Sequence, residues 1–172
     1  IDYKITNAKK ANDSIEVTIK NLGDTQVPVS IYGYNNNKLV SKNWVENNAK
    51  TFKFYVKNDS ITKFVLNDNY EIPEINNNNN SYKLKNRFLG NRKIRFTFFK
   101  DIENAKYNQV FYVPTAEFNL YDGLLLGIKF NNKSIIDKPF TYDITPNLST
   151  KTGTIAGYTG ITFNHLNRNS NN

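Results

Sequence analysis

Val65 to Asn80 reads VLNDNYEIPEINNNNN, and it divides the chain into two kinds of text. A strand ends at Leu66, an Asn–Asp pair turns the chain, Pro73 fixes one backbone angle, and five Asn follow. Asn tolerates left-handed backbone angles and Pro cannot donate to a strand ladder, so the stretch reads as a boundary between two β units. Before it, residues 1–80 carry 10 Lys/Arg against 9 Asp/Glu; after it, residues 81–172 carry 13 against 6, so the net charge of +8 belongs almost wholly to the second half.

Outward from the boundary toward the start, short strands alternate with polar turns. Ile15, Val17 and Ile19 point one way while Glu16, Thr18 and Lys20 point the other. Phe52, Phe54 and Val56 alternate with Lys53, Tyr55 and Lys57 in the same way. Period two is the pattern of a half-buried strand. Val27–Tyr34 is a further strand, with Pro28 near its start suggesting an edge or a bulge. Lys38–Trp44 and Ile61–Leu66 complete about six strands, which favours a small immunoglobulin-like antiparallel sandwich over residues 1–70. Trp44, the single Trp, is expected in its core.

Residues 71–93 read as a linker that runs into a basic stretch. Lys83, Lys85, Arg87, Arg92, Lys93 and Arg95 place six positive charges in thirteen residues without an acid, interleaved with Phe88, Leu89 and Phe96. Such a stretch can meet phosphates and stack bases. It can sit against anionic lipid headgroups, or it can be a solvated face. No nucleic-acid-binding motif accompanies it, so nucleic acid is the least favoured partner.

Residues 94–163 form longer alternating strands: Ile94–Phe98, Val110–Leu120 interrupted by Pro114, Leu124–Phe130, Phe140–Thr145 and a last segment within Thr150–Phe163. Strands of this length, apolar on one side and with Tyr112, Phe118, Tyr121, Phe140 and Tyr142 near their ends, suit a transmembrane β-barrel. They suit a soluble sandwich equally. Four or so strands do not close a barrel, and lipid does not tolerate an open sheet edge, so only the first strands of an outer-membrane barrel can be present. Residues 164–172 read as a disordered tail. The fold expected is therefore all-β: an immunoglobulin-like antiparallel sandwich, then an antiparallel β unit with barrel-like strands.

Composition limits the chemistry. With no Cys there are no disulfides, thiolate metal sites or cysteine nucleophiles. The single His, His165, lies in the polar tail and cannot supply a zinc site or a catalytic triad. Asp68, Glu71 and Glu74 crowd the boundary and offer oxygen ligands to calcium, but a solvated polar turn accounts for them more simply. No run of eighteen apolar residues provides a helical membrane span. The abundance of Asn, Ile, Tyr, Phe and Lys reads as the codon bias of an AT-rich genome. The chain opens on Ile1, which suggests a fragment or a processed product. No catalytic residue, metal or cofactor is predicted.

Several ordered motifs carry a resemblance. Lys42 and Trp44, the strand Phe52–Val56, then Val65-Leu66-Asn67-Asp68 and Ile72-Pro73-Glu74-Ile75-Asn76 resemble the region after the catalytic part of Bacteroidetes gluzincin-type zinc aminopeptidase-like proteins. That family carries V-x-L-D-P…L-P-D-I-N there; here Asn67 and Asp68 stand at the Asp-Pro and Glu74 at the Asp. Tyr107-Asn108-Gln109, Phe111–Pro114, Phe118-Asn119, Tyr121-Asp122-Gly123, Gly127 and Asn131 are similar to its C-terminal part, which itself resembles the opening strands of surface-antigen barrels. The resemblance covers roughly Tyr3 to Gly160. The H-E-x-x-H…E zinc motif is absent, so no catalytic residue transfers.

The resemblance implies a non-catalytic accessory segment at the cell envelope. It would position an upstream peptidase domain or a partner at the outer membrane, with the membrane surface or an outer-membrane protein as its contact. The rivals are a soluble module binding carbohydrate or protein through Trp44, Tyr32 and Tyr34, and an enzyme using unrecognised residues. Residues 1–80 alone are expected to fold.

Overall fold

The computed structural model describes residues 1–46, 48–57, 60–85, 90–135 and 138–164. The chain forms two compact units that meet between Lys93 and Ile94. Both are built from strands.

The first unit holds two sheets. One is ordered β1-β2-β5, from β1 (Tyr3–Ala11), β2 (Ser14–Asn21) and β5 (Thr51–Val56). The other is ordered β4-β3-β6-β7, from β3 (Val29–Asn35), β4 (Lys38–Val45), β6 (Lys63–Leu66) and β7 (Ser81–Lys83). The pairings within both sheets are antiparallel. The alternation read from the sequence fills one core between the two sheets. Ile15, Val17 and Ile19 of β2 meet Val29 and Ile31 of β3, Phe64 and Leu66 of β6, and Phe52 and Val56 of β5. The turns explain the Asn. The two-residue turn between β3 and β4 is Asn36-Asn37, both at positive φ (46° and 72°), a conformation Asn enters more readily than other side chains.

Three expectations change. Trp44 is not in the core: it is 52% exposed, because it pairs with Ser30 on the outer face while its neighbour Val45 turns inward opposite Val29. In a period-two strand, only one of two adjacent apolar residues faces in. Residues 71–93 are not a linker. A 3-10 turn at Asn77–Asn79 leads into β7, which pairs with β6, and Tyr82 enters the core with Ile72 and Leu84 packed against it. The sandwich therefore extends past residue 70. Pro28 lies just before β3, and the irregularity in that strand is at Gly33–Tyr34.

The stretch read as a boundary lies inside the first unit, and Asn67 ties it down. It is buried, its amide donates to the Ile72 carbonyl (2.7 Å), and its side-chain oxygen accepts from the Ile72 N–H (3.1 Å). Ile72 thus finds apolar cover, while Ile75 stays exposed.

The second unit is one open sheet ordered β12-β11-β10-β9-β8. Its strands are β8 (Lys93–Phe98), β9 (Tyr107–Asn119), β10 (Gly123–Asn131), β11 (Phe140–Ser149) and β12 (Ile155–Phe163). β9 through β12 form an antiparallel meander. β9 runs through Pro114, which sits opposite Ile128 without breaking the strand. Asn164, expected in the frayed tail, donates to the carbonyls of Pro139 (2.8 Å) and Lys138 (2.9 Å). Arg87, Phe88, Leu89, His165 and the rest of the tail lie outside the described residues.

Candidate functional site

The register of the second unit sorts its side chains onto two faces. Tyr112, Phe130, Ile144 and Thr159 lie in one cross-strand row. Ala116, Leu126, Leu148 and Ile155 lie in another, and Phe140 pairs with Phe163. This face of β9–β12 carries no Asp, Glu, Lys or Arg. β8 adds Phe98, whose ring lies 5.5 Å from that of Tyr112, and alternation puts Ile94 and Phe96 with it.

The opposite face mixes buried Phe111 and Leu125 with a polar row along β11. Along β11, Thr141, Asp143, Thr145, Asn147 and Ser149 are all buried, whereas Phe140, Ile144 and Leu148 between them are exposed. Thr145 is 0% exposed and Leu148 53%. Apolar burial drives folding in water, so β11 leaves bare the side chains that water disfavours. Asp143 anchors the polar face, with Lys129 at 3.2 Å and Lys133 in contact. Thr115 donates to Asn147 (3.1 Å) on the same face.

On the first unit, the outer face of the four-stranded sheet gathers a polar–aromatic cluster. Tyr32 and Tyr34 stack with rings 6.5 Å apart and 16° between planes. Glu71 accepts from the hydroxyls of Tyr32 and Ser30 (2.8 Å for the latter) and pairs with Lys42 at 3.1 Å. Lys42 also lies 5.1 Å from the Tyr32 ring centre and 6.0 Å from that of Trp44. Desolvation pushes the Glu71 carboxyl up, yet hydrogen bonds from Tyr32, Ser30 and Lys42 prevail and bring it down to about 2. Tyr34 donates to Asp68 at 2.5 Å; burial first, then that carboxylate, raises its phenol.

Asp68 and Glu71 therefore serve this cluster, and Glu74 does not join them. Among the described residues no three His, Cys, Asp or Glu side chains converge. Glu74 instead joins Asp2, near the chain's start, through two asparagines of the Asn run. Asn80 donates to Glu74, and Asn79 donates to Asp2 at 3.0 Å. Burial, with the Asp2 charge adding to it, raises the Glu74 carboxyl to about 7. No local motif announces this cluster, because its members lie 77 positions apart.

The basic stretch is divided between the units. Lys83 donates to the Gly90 carbonyl (3.0 Å) and Arg92 to the Asn78 amide oxygen (2.5 Å). Arg95 lies over the Tyr107 ring at 5.4 Å. Lys85 and Lys93 are exposed, and Arg87 falls outside the described residues. Comparison with protein-family models, with curated proteins and with solved structures finds no match to this chain.

Proposed function

We propose that the chain is a non-catalytic anchoring segment of the cell envelope. Its second unit lies with its apolar face in the outer membrane, and its first unit holds a catalytic domain or a partner there. The observation that carries this reading is the inverted burial of β11, with polar side chains covered and apolar ones bare. Water disfavours that arrangement and hydrocarbon favours it.

Dimensions agree. Phe140 to Leu148 spans about 26 Å along the strand at about 3.3 Å per residue. Tilted by about 40°, this becomes about 20 Å, close to the ~25 Å apolar band of outer-membrane barrels. Phe98, Tyr112, Phe140 and Phe163 gather toward one end of the sheet and Phe118 lies toward the other, as aromatic girdles do. The outer edges of β8 and β12 have no neighbour within the sheet, and lipid requires that such edges be paired by further strands. The exposed Lys85 and Lys93 suit anionic headgroups, at about 1 kcal/mol each.

The immunoglobulin-like reading of the first unit is supported by its strand order. The chain lays β1 and β2 in one sheet and β3 and β4 in the other. It then returns β5 beside β2 and β6 beside β3. The peptidase connection rests on the resemblance at Ile72–Asn76. Refolding the full chain with phospholipid vesicles tests the proposal: protease protection of residues 94–163 is expected. A monomer that stays in solution without detergent and leaves vesicles bare would overturn it.

The exposure of Trp44 beside Lys42 favours a second reading, a soluble module binding carbohydrate or protein through that face. Quenching of Trp44 fluorescence by a saturable ligand, lost in Tyr34→Ala, is its test.

A further inference from the structure

The cluster between Asp2 and the Asn run holds buried acceptors that lack a partner. Asp2 is 1% exposed and Asn80 2%. Three oxygens there are buried without a hydrogen-bond partner: Glu74 Oε1, Asn79 Oδ1 and Asn80 Oδ1. A buried acceptor left unpaired costs about 1–3 kcal/mol, so three in one place need an explanation.

The geometry points to a divalent cation of the calcium class, bound by the carboxylates of Asp2 and Glu74 and the side-chain oxygens of Asn79 and Asn80. The donor set fits the ion. Calcium takes six to eight oxygen ligands from carboxylates, amide carbonyls and water, in flexible geometry. Two carboxylates and two amides offer six oxygens, and two negative charges balance one divalent ion. The backbone holds them together from three directions. Ile75 donates its N–H to the Ile1 carbonyl (3.0 Å), Leu66 donates to the Asn80 carbonyl (3.0 Å), and the Asn77–Asn79 turn is capped by Asn76.

The two amides explain how the same residues manage without the ion. Each now turns its N–H₂ toward a carboxylate, Asn79 to Asp2 and Asn80 to Glu74. Rotating each amide by half a turn exchanges donor for acceptor and presents oxygens where donors stood. The cation then replaces the amide hydrogens as the partner of the carboxylates, and the oxygens now unpaired become ligands. Arg92, bonded to Asn78, is a positive group beside this segment. Zinc is a poor fit, since the cluster holds no nitrogen or sulfur ligand of the kind it prefers.

Trp44, the single tryptophan, lies in the first unit and so reports on that unit within the intact chain. Thermal unfolding of the full chain in detergent is followed by tryptophan fluorescence in EDTA, in millimolar calcium chloride, and in magnesium chloride at equal ionic strength. Calcium should raise the midpoint saturably by roughly 4–8 °C, and magnesium by clearly less. Glu74→Gln and Asp2→Asn should unfold cooperatively in EDTA and show no calcium-dependent rise. Glu74→Gln keeps the side chain's size and removes only the charge, so it decides the matter should Asp2→Asn fail to fold. A midpoint unmoved by calcium overturns the proposal. So does an equal rise with magnesium, or a rise that Glu74→Gln retains.

Discussion

Asn147 lies directly across the ladder from Gly127, and its amide oxygen fills the space a side chain on Gly127 would need, 1.8 Å from where a Cβ would stand. The backbone carbonyl of Pro146 would be 2.4 Å from the same point. Turning Asn147 aside would break its hydrogen bond from Thr115, and the carbonyl cannot move without disturbing the β10–β11 pairing. Gly127→Ala should therefore destabilise the second unit by about 1–3 kcal/mol, read as a lower urea midpoint for the detergent-folded chain. An unchanged midpoint would mean that the two strands separate more easily than their register suggests.

Ile128 lies on the charge-free face opposite Pro114, midway between the sheet's ends. Ile128→Lys should weaken insertion into vesicles by about 2–4 kcal/mol if that position lies at the bilayer midplane. Thr141→Ser, on the shielded face, should leave insertion unchanged. Equal effects from both variants would remove the distinction between the faces.

Glu71 sets an acid limit on the first unit. Its folded carboxyl titrates at about 2, against 4.5 for an unperturbed one. A depressed carboxyl contributes stability that is fully present above the unfolded value and is lost as pH falls through the folded one. Urea midpoints followed by Trp44 fluorescence should fall between about pH 5 and pH 2. Glu71→Gln should flatten that part of the profile. A slope that persists in the variant assigns the acid sensitivity to other carboxylates.

Tyr82 decides where the first unit ends. It fills the core from β7, and its hydroxyl reaches Asn7 at 3.1 Å. A fragment ending at Asn80 loses that ring, a loss comparable to aromatic-to-alanine substitutions of about 3–5 kcal/mol. It should show broad, non-cooperative unfolding by circular dichroism, whereas one ending at Lys93 should unfold in a single sharp transition. Two equally sharp transitions would make β7 dispensable.

Much of this architecture is legible because strands write it locally. Ile15-Val17-Ile19 and Phe140-Tyr142-Ile144 announce strands through alternation alone. The break between the units falls at Lys93, beyond β7, and not within the Val65–Asn80 stretch that the composition marked as the boundary. Alternation does not say which face is covered. Trp44 looked like a core residue because it is large, and only the pairing of Val45 with Val29 puts it outside. β7 was hidden because Ser81–Lys83 is too short to show a period. Nothing in the text couples Asp2 to Asn79, since that contact exists only once the chain has folded back on itself.

On the proposed membrane reading, the inverted burial of β11 also bears on when the second unit can form. Paired in water, β9 to β12 would leave Leu126, Ile144, Leu148 and Ile161 bare, and such surfaces stick to whatever is nearby, including other nascent copies. In the first unit most strand-borne apolar side chains close on each other between the two sheets. If the second unit enters a membrane as proposed, synthesis delivers two halves on different schedules: one is finished as soon as it is made, and the other stays unpaired until an apolar surface receives it.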